Sequence, residues 1–375
     1  MFVLLLGLLV FLWLLVRALL PLSLPRGVKA VVAVLLFIFS FQHFFYRYFL
    51  GGMASPELPF PLLLLATGVF VALLFLFLLT LTWDIVLVLN RLRMGTRRRG
   101  AFSPGRRQAV MTCLAVIPAV CGVRNALAVP EIRRLETALP ALPAALDGLT
   151  IAQISDLHVS SLLHAPRVRA IVDGVNALKP DIVVFTGDMV DGFPDRRAEG
   201  VAPLRDLRAA RGIFACAGNH EYYADFNAWM RVFPNLGIHT LLNTHRTLPV
   251  NGENLVLAGV TDIVAPRFGL PPPDTRAALA GAPEDAFTVL LDHRPINAAA
   301  NAEAGADLQL SGHTHGGQIL GMTALVAAYN QGYLYGWYQR GNMKLYVSSG
   351  AGLWSGLPVR LGVPSEIAVL TLRRG

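Results

Sequence analysis

Five short segments in the second half of the 375-residue chain carry residues that can hold metal or move protons, each directly after an apolar run. Residues 151–155 lead into Asp156-Leu157-His158, and residues 182–186 into Gly187-Asp188-Met189-Val190-Asp191. Residues 213–217 lead into Gly218-Asn219-His220-Glu221, and 289–291 into Asp292-His293-Arg294-Pro295. Residues 308–311 lead into Gly312-His313-Thr314-His315-Gly316-Gly317-Gln318. Imidazole nitrogens and carboxylate oxygens suit borderline divalent ions such as Mn²⁺, Fe²⁺ or Zn²⁺, and no thiolate is needed. Singly, each block has an ordinary explanation: Asp-x-His is a common surface turn, Gly-Asp often ends a strand, Asn219 can cap a helix, and a lone histidine is more often structural. Five in succession, each at the end of an apolar run, exceed what ordinary turns explain.

The elements that must position these residues are legible as well. Apolar runs at 151–154, 182–185, 213–216, 255–257, 289–291, 308–310 and 345–347 read as buried strands. Helical patterns at 166–178 and 226–233 fall between the early ones. Strands alternating with helices, then mostly strands, imply a layered α/β domain. Open α/β sheets place their sites beyond the carboxyl ends of the strands, which is where the polar blocks fall.

In this order the blocks resemble the pattern of the calcineurin-like metallophosphoesterase superfamily: Asp-x-His, Gly-Asp-x-x-Asp, Gly-Asn-His-Glu/Asp, His, Gly-His-x-His. The resemblance runs from about Leu149 to the C-terminus. The Gly-Gly-Gln after the last block and the tail elements Gly350-Ala351-Gly352, Leu357-Pro358-Val359-Arg360 and Pro364-Ser365-Glu366 resemble its membrane-attached bacterial branch. The resemblance implies a four-layer α/β/β/α sandwich of two mixed sheets. It also implies one metal held by Asp156, His158, Asp188 and His315, and a second by Asp188, Asn219, His293 and His313. Asp188 would then bridge ions roughly 3.5–4 Å apart, with a hydroxide between them as nucleophile. His220 would protonate the leaving oxygen, oriented by Asp191. His239 and His245 compete with His293 on identity alone, but His293 follows a strand and precedes Pro295 as in the family. The other two lie in the loop-like stretch 237–247 and, with His164, are assigned to surface or loop roles. Asp292 stands where relatives carry small polar residues, and the sequence gives no account of it. Arg360 either reaches a substrate phosphate or pairs with Glu366.

Composition divides the chain. The hydrophobic fraction is 54% and the mean hydropathy +0.52, with the excess in the first 148 residues. Residues 1–149 carry 14 Lys and Arg against 5 Asp and Glu, whereas the remainder carries 18 against 19. The formal charge of +8 therefore belongs to the apolar part, and the second part has no electrostatic footprint for nucleic acid. Three cysteines form no disulfide framework.

Apolar stretches at 1–20, 28–49, 60–81 and 109–129 approach the ~20 residues of a spanning helix and predict about four spans. The connection 91–107 carries Arg91, Arg93, Arg97, Arg98, Arg99, Arg106 and Arg107, against Arg26 and Lys29 in the first and Arg47 with Glu57 in the second. Positive charge stays cytoplasmic, so the N-terminus and the second domain are expected outside the cytoplasm. Arg106-Arg107 also fits a twin-arginine signal, and 126–128 a cleavage site after Ala128; the ordinary reading is a positive-inside loop. Asp84 and Arg124 fall near expected span ends. The domains expected are a membrane module over 1–129, a linker over 130–148 and a metallophosphoesterase domain over 149–375.

The function expected is hydrolysis of a phosphate ester, phosphodiester or pyrophosphate, on a phosphorylated small molecule or a lipid-linked substrate. Its cofactors would be two divalent ions. The alternative is a catalytically silent membrane protein that keeps the fold for metal binding or docking, which the complete ligand set with Asp191 and His220 disfavours. A transporter with an accessory outer domain is disfavoured by the scarcity of polar residues within the spans.

Overall fold

In the computed structural model, which describes residues 2–52, 55–94, 104–354 and 356–375, the leucine-rich N-terminal third folds into α-helices. These are α1 (Phe2–Leu14, continued by a π-helical turn Leu15–Leu19), α2 (Arg26–Ser40), α3 (Gln42–Phe49), α4 (Phe60–Met94) and α5 (Pro104–Leu127). Two are long and apolar enough to cross a bilayer, Phe60–Arg93 with 34 residues and Gly105–Leu127 with 23. α2 and α3 make a third only if taken together across a bend of 59°. The helix Leu4–Leu19 is shorter. Among the described residues, the helices that meet the length and composition of a span are thus two, or three with the bent pair, beside the four apolar stretches expected. The physical reasons are local: Phe41 leaves helical geometry between α2 and α3, and Pro21 follows the first helix.

α4 runs further than the expected 60–81, because nothing in its sequence breaks it, and takes Arg91 and Arg93 into its last turn. Asp84 therefore sits well inside α4. Arg17 donates to it, Nε to Oδ2 at 2.6 Å, which neutralises a charge that would be costly in lipid. Arg97, Arg98, Arg99 and Met1 lie outside the described residues.

By internal packing the chain forms two units, Met1–Asn125 with Gly356–Val359, and Ala126–Ser355 with Arg360–Gly375. The second contains β1 (Glu131–Leu139), β2 (Thr150–Ile154), α6 (Ala165–Leu178), β3 (Ile182–Thr186), α7 (Pro194–Val201), β4 (Ile213–Cys216), α8 (Asn219–Tyr223) and α9 (Phe226–Asn235). It continues through β5 (Ile238–Thr240), β6 (Thr244–Val250), β7 (Glu253–Gly259), α10 (Thr275–Leu279), β8 (Phe287–Leu291) and α11 (Ala298–Glu303). β9 (Leu308–Ser311), α12 (Thr323–Tyr329), β10 (Gly336–Arg340), β11 (Met343–Val347) and β12 (Glu366–Arg374) complete it. The stretch 130–148, expected as a linker, holds β1, which pairs parallel to β12 with Glu131 opposite Glu366. Its Arg133, Arg134 and Glu136 are exposed, as suits an edge strand. Likewise 237–247, expected as loop, supplies β5 and the start of β6.

Two six-stranded mixed sheets result, ordered β1-β12-β2-β3-β4-β5 and β10-β11-β9-β8-β7-β6. Alternate side chains explain why the strands read as unbroken apolar runs, because both faces are covered. Ile182 and Val184 pack between the sheets with Leu257, Val289 and Leu310. Val183 and Phe185 point the other way, onto Ile171 and Val175 of α6 and Trp229 of α9. The second sheet's outer face carries Val256, Leu290 and Leu345 against Ala278 of α10 and Ala298 of α11. The architecture is the four-layer α/β/β/α sandwich, following a helical membrane module.

Candidate metal centre

β2, β3 and β4 of one sheet and β8 and β9 of the other end on the same site. Gln153 fastens them beneath it, donating Nε2 to Thr186 Oγ1 at 3.0 Å and to the Ser311 carbonyl at 2.9 Å. Each strand stops because the next residues turn sharply. Asp156, His158, Asp188, His313 and His315 all have φ between 48° and 72°, the left-handed region that costs an L-residue about 1–2 kcal/mol. Such strain collects where side-chain aim matters more than backbone comfort. Two glycines make room: a Cβ on Gly218 would meet Asp188 Oδ1 at 2.2 Å, and one on Gly312 would meet Asp156 Oδ2 at 2.2 Å.

Six of the seven side chains expected as ligands fall in two close groups. Asp156, His158 and His315 form one group whose ligand atoms lie within 4.8 Å of one another, and Asp188, His293 and His313 form another. His158 Nε2 and His315 Nε2 are 3.1 Å apart. Asp188 Oδ2 lies between the groups, 3.2 Å from His293 Nε2 and 3.7 Å from His158 Nε2. His293 Nδ1 donates to the Thr186 carbonyl at 2.8 Å, which leaves Nε2 facing Asp188, the arrangement that orients a metal-binding imidazole. Asn219 presents Oδ1 at the edge of the second group, where it accepts from Arg294 at 2.9 Å.

His158, Asp191 and His220 form a third close group. His220 Nδ1 is hydrogen-bonded to Asp191 Oδ1, and Asp191 Oδ2 is 3.3 Å from His158 Nδ1. Asp191 thereby bonds one histidine and faces another, and His220 keeps Nε2 4.0 Å from Asp188 Oδ2.

The electrostatics suit a cation. Burial opposes ionisation of Asp188, yet His293, His220 and His158 hold it well below the carboxylate range. Burial works against charge on His293 too, but Asp188 and Asp156 push it up to about 10. The buried carboxylates thus demand positive charge, which protons or metal can supply. Burial pushes His313 and His315 well below the usual imidazole value, so both offer the neutral form that ligation requires. Against the cost of burial, Asp191 is drawn down to about 2 by His220 and His158, and His220 is raised to about 9, chiefly by Asp191 and Asp188.

Residues 149–317 match the family model of the calcineurin-like phosphoesterases. An uncharacterized metallophosphoesterase of Campylobacter jejuni is 34% identical over 301 residues, covering 80% of this chain and 78% of that one. A transmembrane protein with metallophosphoesterase domain from Danio rerio is 32% identical, covering 76% and 68%. The chain belongs to the calcineurin-like phosphoesterases. A solved 5'-nucleotidase precursor from Thermus thermophilus aligns at 16% identity and a TM-score of 0.39, covering 60% of this chain and 54% of that one, too distant a likeness to argue from. The protein is a metal-dependent phosphoester hydrolase, and its apolar helices associate it with a membrane.

Four residues of this phosphoesterase carry structural work that the sequence reading missed or left open. Glu221 is fully buried and accepts from Gly218 N (2.7 Å), Met189 N (2.6 Å) and Asp188 N (3.0 Å). Its position in the Gly-Asn-His-Glu block was the available signal. Asp292 accepts from Asn301 Nδ2 (2.8 Å), Asn297 Nδ2 (3.1 Å) and Arg294 N (3.2 Å), which ties the start of α11 to the loop bearing His293. Arg294 is held by Asp262 (2.8 Å) and donates to His313 Nε2 (3.1 Å) besides Asn219. Arg360 is buried and serves backbone carbonyls, Ser349 O at 2.8 Å and Gly352 O at 2.9 Å. Glu366 accepts from Tyr346 Oη at 2.8 Å. His245 caps the Ala278 carbonyl at 2.7 Å, His239 lies in β5, and His164 precedes α6; none joins the metal groups.

Glu221→Ala would strand three buried N–H donors, at about 1–3 kcal/mol for each group left unsatisfied. The expected outcome is a thermal midpoint lowered by several degrees together with weaker metal retention, since two of those donors flank Asp188. An unchanged melting curve and metal content would remove Glu221 from this role.

Proposed function

We propose that the protein is a membrane-bound hydrolase of phosphate ester, phosphodiester or pyrophosphate bonds that works with two divalent ions, Mn²⁺, Fe²⁺ or Zn²⁺, and accepts lipid-linked phosphates. The observation that carries the two-ion reading is Asp188 Oδ2, 3.2 Å from His293 Nε2 and 3.7 Å from His158 Nε2, between two buried donor groups. Asp156, His158, Asp188 and His315 would hold one ion, and Asp188, Asn219, His293 and His313 the other. When bound, the ions supply positive charge to the phosphate oxygens and acidify the attacking water. The chain supplies the rest. His220, protonated and steered by Asp191, delivers a proton to the leaving oxygen. Arg294 offers a further cation beside Asn219 and His313 for the phosphate's free oxygens. A silent docking protein would have no use for the His220–Asp191 pair. The functional division proposed is a membrane module over 1–129 and a hydrolase domain over 149–375, with β1 joined to the hydrolase sheet. Lipid-linked substrates are supported by a membrane module larger than one anchor requires.

Elemental analysis of the metal-loaded full chain should approach two equivalents, alongside turnover of an aryl phosphate or phosphodiester panel. One equivalent or none in folded protein would end the two-ion reading.

The hydrolase domain is proposed to face away from the cytoplasm. Arg91 and Arg93 end the candidate span Phe60–Arg93, and Arg106 and Arg107 begin Gly105–Leu127. Positive charge at those ends holds them on the cytoplasmic side, so Leu127 emerges on the other. Protease added to sealed cells with permeabilised outer layers should remove the domain. Complete protection there, with degradation after lysis, would put the domain in the cytoplasm.

A further inference from the structure

We infer that residues 316–339 form a lipid-docking surface beside the metal centre, seated in the interfacial layer of the membrane to which the chain is bound. These 24 residues contain no Asp, Glu, Lys, Arg or His, although they lie largely at the surface of the hydrolase unit. α12 buries none of its side chains. Leu320 is 67% exposed and Tyr329 82%, and Leu325 and Tyr335 are exposed as well. Single exposed leucines are ordinary, but four large apolar side chains from one uncharged stretch mark a surface meant for contact. Leucines mixed with tyrosines suit the lipid–water boundary, where an aromatic ring takes the apolar side and its hydroxyl stays wet.

The course of the chain selects lipid as the occupant: it leaves the candidate span Gly105–Leu127 and enters β1 of the hydrolase unit at Glu131, so a bilayer is within reach of this unit. The surface adjoins the chemistry: a Cβ on Gly317 would come within 3.0 Å of Thr323, and one on Gly316 within 3.2 Å of Tyr335, both immediately after His315. Seated in lipid, it would hold the metal centre at headgroup depth. The inference goes beyond the phosphoester reading and does not depend on it.

The test uses the full chain in phosphatidylcholine/phosphatidylglycerol nanodiscs, with Cys113→Ala and Cys121→Ala; Cys216 is buried and escapes labelling. Nitroxide labels are placed at Leu325→Cys, Tyr329→Cys and, as a control in the β6–β7 turn, Asn251→Cys. Collision with oxygen should exceed collision with a water-soluble nickel chelate at 325 and 329, and the order should reverse at 251. The aqueous order at all three would overturn the proposal. Spin–spin broadening at 329 would overturn it in favour of a second copy of the chain. Nitrophenyl phosphate turnover is read separately on the same samples. Its loss with lipid contact intact counts against the hydrolase reading alone.

Discussion

Asp188→Ala is expected to lose bound metal and hydrolytic activity together. Its carboxylate lies within reach of both donor clusters, and it also accepts from His220 N at 2.8 Å. Removing it leaves His158, His293 and His220 facing one another with no central counter-charge. His293 owes its elevated value of about 10 first to Asp188 among its neighbours, against burial, so the variant's His293 should titrate well below that. Breaking a buried charge arrangement from one side typically costs about 3–5 kcal/mol, so stability must be read beside activity. Asp188→Asn separates the effects, since it keeps an acceptor for His220 N and the packing while discarding the charge. Elemental analysis should find both variants depleted, and turnover should fall to background. Retention of two equivalents by folded Asp188→Asn would deny Asp188 a place between two ions.

His220→Ala is expected to keep its metal and lose rate, by roughly 10²–10⁴-fold for a poor leaving group, the usual contribution of a positioned general acid. The loss should shrink for nitrophenyl esters, whose leaving oxygen needs no proton. The pH profile gives an independent reading. Against burial, Asp191 and Asp188 raise His220 to about 9, and the acid form exists below its pKa, so the rate should fall as pH rises through that limb. Cations bound beside the ring can only lower the value, so the limb falls at or below about pH 9. Asp191→Asn should move it to lower pH, and His220→Ala should abolish it. A variant that loses metal on the substitution would make His220 a ligand, and an unmoved limb in Asp191→Asn would detach the two residues.

The limits of sequence reading follow particular residues. β2, β3, β4, β8 and β9 were legible because strands buried on both faces need unbroken apolar runs. β1 was not, since an edge strand exposes Arg133, Arg134 and Glu136 and reads as a charged connector. β5 has three residues, too few for any period. In the membrane module, hydropathy alone cannot tell a straight span from the bent α2–α3 pair, because the bend at Phe41 is a backbone event in an apolar stretch. Asp84 seemed to lie at a span end until α4 proved continuous to Met94, with Arg17 supplying the charge Asp84 needs.

By itself the sequence determined the chemistry: which side chains could bind metal, their order at strand ends, and the family whose pattern they follow. Those facts are local, since a ligand's identity and the strand before it are written in one short segment. The tertiary structure decided what depends on two sheets being brought face to face. It brought Asp188 within reach of both His158 and His293, used Glu221 to tie down the Asp188 turn, set Arg294 against Asn219 and His313, and buried Arg360 among carbonyls. The first three join residues from separate strand ends, and Arg360 meets carbonyls across the fold of its own β11–β12 connection; only packing can determine such distances.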